Sequence, residues 1–420
     1  MTTLIYNIQQ LVGVRKENKL LRGKELAELP SVKNAYLIIE DGVITEYGEM
    51  QNLKSEIRPL RANTQGPKSE IDVTGQFILP CWCDSHTHLV FASSREEEFV
   101  DKIKGKSYAE IAAKGGGILN SAKNLSGTSE DELFNLAWRR LEEISRLGTG
   151  GVEIKSGYGL SVEGELKMLR VIKKLKEKSN LSIKATFLGA HTYPMEYREN
   201  HQGYIDLIIN EMLPIIAREK LADYIDVFCE TDFFSSEEME VICKAGMGHG
   251  LKPKLHVNQL NSIGGIEAGI KLNALSIDHL ETINNDEIGK LSKSNTIATL
   301  LPTAAFFLRT AFQPARKLID AGCAVALASD YNPGSSPSGN LNLVVSMGCI
   351  GMRMLPEEAI NAATINGAYA IELQNQIGSI AIGKKANLIF TKPIPSLAYF
   401  PYSFGTNLID RVMINGEFIS

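Results

Sequence analysis

From about residue 80 onward the chain repeats one unit: a short apolar run, a polar turn, then a stretch of helical period. Eight such runs end near His88, Lys155, His191, Glu230, His256, His279, Thr303 and Asp330. Apolar runs this short, bounded by turn residues, read as strands. Helical segments lie between most of them, among them Glu165 to Leu175, Tyr204 to Arg218, Glu237 to Lys244 and Ala315 to Ala321. The clearest helix spans Glu130 to Leu147, where Leu133, Leu136, Ala137, Leu141 and Ile144 make one apolar stripe. Ser129 and Glu132 fit a capping box ahead of it, and Gly148 is a good stop. Alternation of this kind needs parallel strands joined by crossover helices, and eight units predict a (β/α)8 TIM-type barrel of the α/β class. A doubly wound open sheet is the competing architecture, but no Gly-x-Gly-x-x-Gly follows a first strand.

The two ends of the chain have a different character. Ala35 to Ile39 and Val43 to Tyr47 are β-rich and joined by Asp41-Gly42, a two-residue hairpin signal. Ile71 to Val73 and Phe77 to Leu79 read as further strands, and Gly378 to Ile380, Ala386 to Phe390 and Val412 to Phe418 repeat the pattern, with Asn415-Gly416 as another turn. Neither end has enough strands to bury a core alone. A small β-sandwich built from residues 1–80 and 378–420, flanking a barrel over 81–377, is the expected organisation.

With 44% hydrophobic and 22% charged residues and a formal charge of −5, the chain has an ordinary globular composition. No dense basic run points to nucleic acid. The first residues lack the basic start and long apolar core of a signal peptide. No run approaches the ~20 apolar residues of a membrane helix. The six cysteines are scattered, with no Cys-x-x-Cys pair, and read as buried thiols of a reducing compartment. The expectation is a cytoplasmic protein with no membrane or nucleic-acid partner.

The chemistry starts at Leu79 to Leu89. A buried strand, Gln76 to Trp82, runs into Asp84, His86 and His88. Residues two apart on a strand share a side, so His86 and His88 can aim both imidazoles at one point. Five of the seven histidines, His86, His88, His191, His256 and His279, sit at or just past strand C-termini, whereas His201 and His249 do not. In a barrel those ends open on one face, the face that carries chemistry. The last strand delivers Asp330. His86, His88, His256 and Asp330 therefore make a candidate set of three N ligands and one O ligand for zinc or iron. A bound ion lowers the pKa of its water to near ~7. His279 is a base, a proton shuttle or a fifth ligand. Arg95, Tyr158 and His191 stand near the same rim as candidate substrate contacts. Asn332, Gly334 and Ser335 form a polar turn whose N–H groups can cradle an anion.

Several motifs carry a family resemblance. Asp84-Ser-His86-Thr-His88, His256, Ser276-x-Asp278-His279, Asp330 and the tail Gly378-Ser-Ile380-x-x-Gly383-Lys384-x-Ala386-Asn387-Leu388 resemble the amidohydrolase superfamily. Within it, five further motifs resemble the imidazolonepropionase family: His86 to Ala92 followed by Arg95, Ala113 to Ile118, Glu153-x-Lys155-Ser-Gly157-Tyr158-Gly, Phe187 to His191, and Asp330-x-Asn332-Pro-Gly334-Ser335. The resemblance covers essentially the whole chain. It implies a metal-dependent hydrolase that opens the ring of 4-imidazolone-5-propanoate to N-formimidoyl-L-glutamate in L-histidine degradation. It further implies one zinc or iron ion on His86, His88, His256 and Asp330, and a homodimer. Substrate or product contacts are implied for Arg95, Tyr158, His191, Asn332, Gly334 and Ser335; on the chemistry of the residues themselves, His279 or Asp330 is the candidate to accept the proton. Two positions depart from the pattern. Gln259 stands where a glutamate usually follows the middle histidine, and is left to orient substrate because an amide cannot take a proton. Cys81 replaces a glycine. Lys155 is expected to remain unmodified. A cytosine- or guanine-type deaminase is the rival within the superfamily, and a non-catalytic barrel the rival outside it.

Overall fold

The computed structural model describes residues 2–53, 69–106 and 116–419. Ala113 to Gly115 of the glycine-rich motif lie outside them.

The N-terminal strands are β1 (Thr2–Val12), β2 (Ser31–Glu40), β3 (Val43–Glu49), β4 (Ser69–Asp72) and β5 (Phe77–Pro80). Asp41 and Gly42 take φ 47° and 81°, as the hairpin between β2 and β3 requires. Eight parallel strands follow: β6 (Trp82–Asp84), β7 (Thr149–Lys155), β8 (Ser182–Ala190), β9 (Tyr224–Cys229), β10 (Lys252–Val257), β11 (Ser276–His279), β12 (Ile297–Leu300) and β13 (Val325–Leu327). The chain ends in β14 (Leu388–Thr391), β15 (Ile409–Ile414) and β16 (Glu417–Phe418).

β6 to β13 pair in sequence order, each with its neighbour. The ring is closed by residues just past the strand ends, where Asp330 N–H donates to the His86 carbonyl (3.0 Å) and His88 N–H to the Tyr331 carbonyl (2.9 Å). Closure is therefore made by the residues that carry the candidate site. The helix expected from Glu130 spans Glu130–Arg146, with Ser129 Oγ accepting from Glu132 N–H. The helix expected over Tyr204 to Arg218 is a continuous run from His201 to Glu219. A wide π turn at Ile208–Met212 stands just before Pro214, which has no N–H to give. One expected strand end is corrected: β12 stops at Leu300, and Thr303 lies in the helix Pro302–Leu308. Pro302 is set for a helix start by its fixed φ.

Strands from both termini join in one hydrogen-bonded sheet, ordered β16-β15-β14-β5-β1-β2-β3, with β4 beside β1. The sheet curls back on itself. Ile44 N–H donates to the Lys384 carbonyl and Ala386 N–H to that of Gly42, so the β3 edge meets the segment leading into β14. Ile5, Ile8, Leu37, Ile44, Leu388 and Met413 share the core inside. Gly378 to Ile380 forms no strand, since Gly378 turns at φ 84° and only Ile380 bridges, to Val14.

The single strand expected over Gln76 to Trp82 is split at Cys81. β5 belongs to the terminal sheet, paired with β1 and β14, while β6 opens the barrel, paired with β7. Sequence pattern misses the break because both halves are fully buried and apolar. The large barrel core, from Trp82 through Leu169, Phe187 and Ile225 to Leu327, lies beneath the strand ends. No helix among the described residues is long and apolar enough to cross a membrane.

Candidate metal centre and active site

β6 and its extension bring His86 and His88 to the mouth of the barrel, β10 brings His256, and the turn after β13 brings Asp330. All four are at least 97% buried. His88 Nε2 lies 3.3 Å from His256 Nε2 and 3.4 Å from Asp330 Oδ1, and His86 Nε2 lies 3.5 Å from the same Asp330 oxygen. His86 Nδ1 meets Asp278 Oδ2 at 2.6 Å and His256 Nδ1 meets Asp226 Oδ2 at 2.8 Å. A carboxylate can only accept, so both Nδ1 atoms carry the proton and both Nε2 atoms turn a lone pair inward. Burial, with the neighbouring cations, holds His86, His88 and His256 well below the usual imidazole range, hence neutral. His86 Nε2 has no hydrogen-bond partner.

The lone pairs of His86 and His256 thus converge with His88 Nε2 on one oxygen of Asp330, and His86 Nε2 is left without a donor. This is costly in a dry interior unless a cation fills the gap. The spacing fits as well. Donors ~2.0–2.1 Å from a tetrahedral ion sit about 3.3–3.4 Å from one another. The residues fit a bound transition metal.

His279 ends β11, and its donor atom lies within 4.8 Å of those of His86 and His256. Its Nδ1 is 3.3 Å from Glu281 Oε1. Burial alone would lower this imidazole, but Glu281, Asp330 and Asp278 outweigh it and the net displacement is upward. Burial pushes the Asp330 carboxyl up to about 7, the response of a buried acid that a cation would reverse. Asp330 and His279 take φ 53° and 86°, values that L-residues rarely adopt. Such strain clusters where a fold aims a side chain at a site.

A cavity of ≈ 980 Å³ opens above these groups, and Arg95, Tyr158, His191, Gln259, Asn332, Gly334 and Ser335 all line it. His191 is lowered to about 4 by burial. Its Nδ1 faces the Gly157 carbonyl at 3.0 Å, leaving Nε2 as an acceptor, and the ring stacks on His88. Arg95 packs against Gly334 and spends Nε and Nη2 on Glu98 (2.9 and 2.5 Å). The anion cradle expected after Asp330 is corrected. The N–H groups of Gly334 and Ser335 both donate to Asn332 Oδ1 at 2.8 Å, closing the turn internally. His201 stacks on Tyr193, and both line the same cavity.

Sequence reasoning missed Asp226, Glu281 and Lys102. Asp226 is visible as an acid inside the apolar run Tyr224–Cys229, but nothing in the sequence pairs it with His256. Lys102 lines the cavity and donates to the Gly334 carbonyl at 3.1 Å. Lys155 lies among three carboxylates. Burial pulls it down, Asp226, Glu153 and Asp278 outweigh that, and the net is upward, so it stays an ammonium.

Residues 208–419 match the Amidohydrolase family model. The chain is 58% identical to an imidazolonepropionase of Flavobacterium johnsoniae over 420 residues, all of both proteins. The chain belongs to the imidazolonepropionase family. A more distant imidazolonepropionase, from Parabacteroides distasonis, is 41% identical over 99% of this chain and 98% of that protein. The amidohydrolase fold is shared with Escherichia coli guanine deaminase at a TM-score of 0.70 and 14% identity, over 100% of this chain and 99% of that one. An adenosine deaminase from Xanthomonas campestris with bound zinc also aligns at 0.70, with 15% identity, over 99% of this chain and 92% of the other.

Proposed function

We propose that the protein hydrolyses the ring C–N bond of 4-imidazolone-5-propanoate to give N-formimidoyl-L-glutamate, a step of L-histidine degradation. The observation that carries this reading is the 58% identity to an imidazolonepropionase over 420 residues. The inward-facing donor set supports it. His86, His88, His256 and Asp330 would hold one zinc or iron ion, which when bound polarises a carbonyl and acidifies water.

The chain's own residues do the rest. His279, with Glu281 behind it, takes the proton of the attacking water and returns one to the departing ring nitrogen, so that water adds across the broken C–N bond. Asp330 shares that proton's path. Tyr158 and the free Nε2 of His191 hold the ring. Gln259 orients it by hydrogen bonding and exchanges no proton. Arg95 and Lys102 make the basic wall that receives the propanoate carboxylate. Asn332, Gly334 and Ser335 shape the floor around substrate and opened product. The working enzyme is a cytoplasmic homodimer in this proposal.

The test is an absorbance assay of imidazolone loss on protein of known metal content. Wild type turns over, chelation abolishes turnover, and His256→Ala is inactive. Guanine or cytosine deamination without imidazolone turnover would overturn the reading.

A further inference from the structure

Beneath the four candidate ligands lies a layer of charge that the reaction does not use. Lys155, the last residue of β7, is fully buried. Its Nζ is 2.8 Å from Glu153 Oε1, 2.9 Å from Asp226 Oδ2 and 3.9 Å from Asp278 Oδ2. Those last two oxygens are the same atoms that meet Nδ1 of His256 and of His86. The layer is tied in from below. Ser276 Oγ donates to Asp278 Oδ1 at 2.6 Å, Lys254 Nζ donates to Ser276 Oγ at 2.8 Å, and Thr186 Oγ1 donates to Glu153.

We infer that Lys155 is a positioning residue: its ammonium cross-ties Asp226 and Asp278, and through them turns Nε2 of His256 and His86 toward one ion. Three carboxylates crowded into a dry interior repel one another, and the ammonium between them is what holds them at this spacing. The oxygens that receive Nδ1–H of His256 and His86 belong to two of these carboxylates, so when the carboxylates move apart the imidazoles lose the contact that fixes their direction. Lys155 prevents this while standing outside the cavity. The barrel supplies its place, because β7, β9 and β11 each send one acid to the same point from different strands.

The inference rests on the reading that His86, His88, His256 and Asp330 hold one ion. The experiment separates the two. Zinc affinity is measured by chelator competition for wild type and Lys155→Met, with folding checked by circular dichroism. Wild type that binds no zinc removes the ion reading itself. If wild type binds, Lys155→Met is expected to bind about 10–100-fold more weakly, the usual loss when a group orienting a ligand is removed. With zinc saturating, its kcat should drop while KM for the imidazolone stays within about twofold, because Lys155 does not line the cavity. Wild-type zinc affinity in folded Lys155→Met overturns the inference. If that variant does not fold, nitrogen NMR of zinc-free wild type decides. His86 and His256 should both carry the proton on Nδ1, and an Nε2–H tautomer at either one overturns it.

Discussion

Asp226→Asn exchanges one oxygen for an NH2 group and changes almost no volume. In the structure Asp226 serves three donors. Oδ2 receives His256 Nδ1–H at 2.8 Å and the Lys155 ammonium at 2.9 Å, and Oδ1 receives His256 N–H at 3.0 Å. Asparagine keeps one acceptor oxygen. If that oxygen serves Nδ1 and Lys155, the NH2 group faces the His256 N–H, donor against donor. If the amide turns over, His256 Nδ1 loses its acceptor. Lys155 keeps Glu153 at 2.8 Å either way, so the ammonium is not stranded and the chain should fold. Losing one buried hydrogen bond to a charged group costs about 1.5–3 kcal/mol. At about 1.4 kcal/mol per factor of ten, zinc affinity should fall roughly 10–100-fold. Chelator competition at fixed pH reads the affinity, and thermal melts with and without zinc report whether the loss lies in the ion site or in the whole fold. A folded Asp226→Asn protein that binds zinc within twofold of wild type would refute the idea that Asp226 sets the donor face of His256.

Further outcomes are expected at the cavity. Glu281→Gln removes the carboxylate that leads in raising His279; a base must be unprotonated to act, so the acid limb of kcat/KM should move to lower pH, and an unmoved limb assigns the proton elsewhere. Gln259→Glu should stay within about tenfold of wild type, since gaining or losing a working base changes rates by about 10²–10⁴-fold; a larger change would give position 259 a proton-transfer role. Lys102→Met should raise KM a few-fold with kcat unchanged, as a partly exposed ion pair is worth about 1 kcal/mol at most; equal KM values would leave the carboxylate to Arg95.

The convergence of the candidate ligands is legible in the sequence. His86 and His88 are two apart at the end of an apolar run, and a strand has only one way to present such a pair. His256 and Asp330 follow once the runs are counted as barrel strands, because every strand C-terminus then faces one mouth. Other features could not be read. The turn at Asn332 reads as a free anion cradle, yet the Asn332 Oδ1 occupies the two N–H groups concerned, and turn closure by a side chain leaves no periodic mark. The break at Cys81 was invisible for a related reason. A strand buried in a sheet and one buried in a barrel carry the same apolar letters.

The amino-acid order by itself determined the periodicities, and with them the alternation of strand and helix and the types of the candidate donor atoms, since these depend on residues near one another in the chain; the pairing of β5 with β14 does not. Tertiary structure decided which acid stands behind which histidine. Asp226 and His256 are 30 residues apart, and Asp278 and His86 are 192 apart. Pairing of β9 with β10 sets the first two side by side, and closure of the ring brings the second two together, since hydrogen bonding and charge act over ångströms rather than along the sequence.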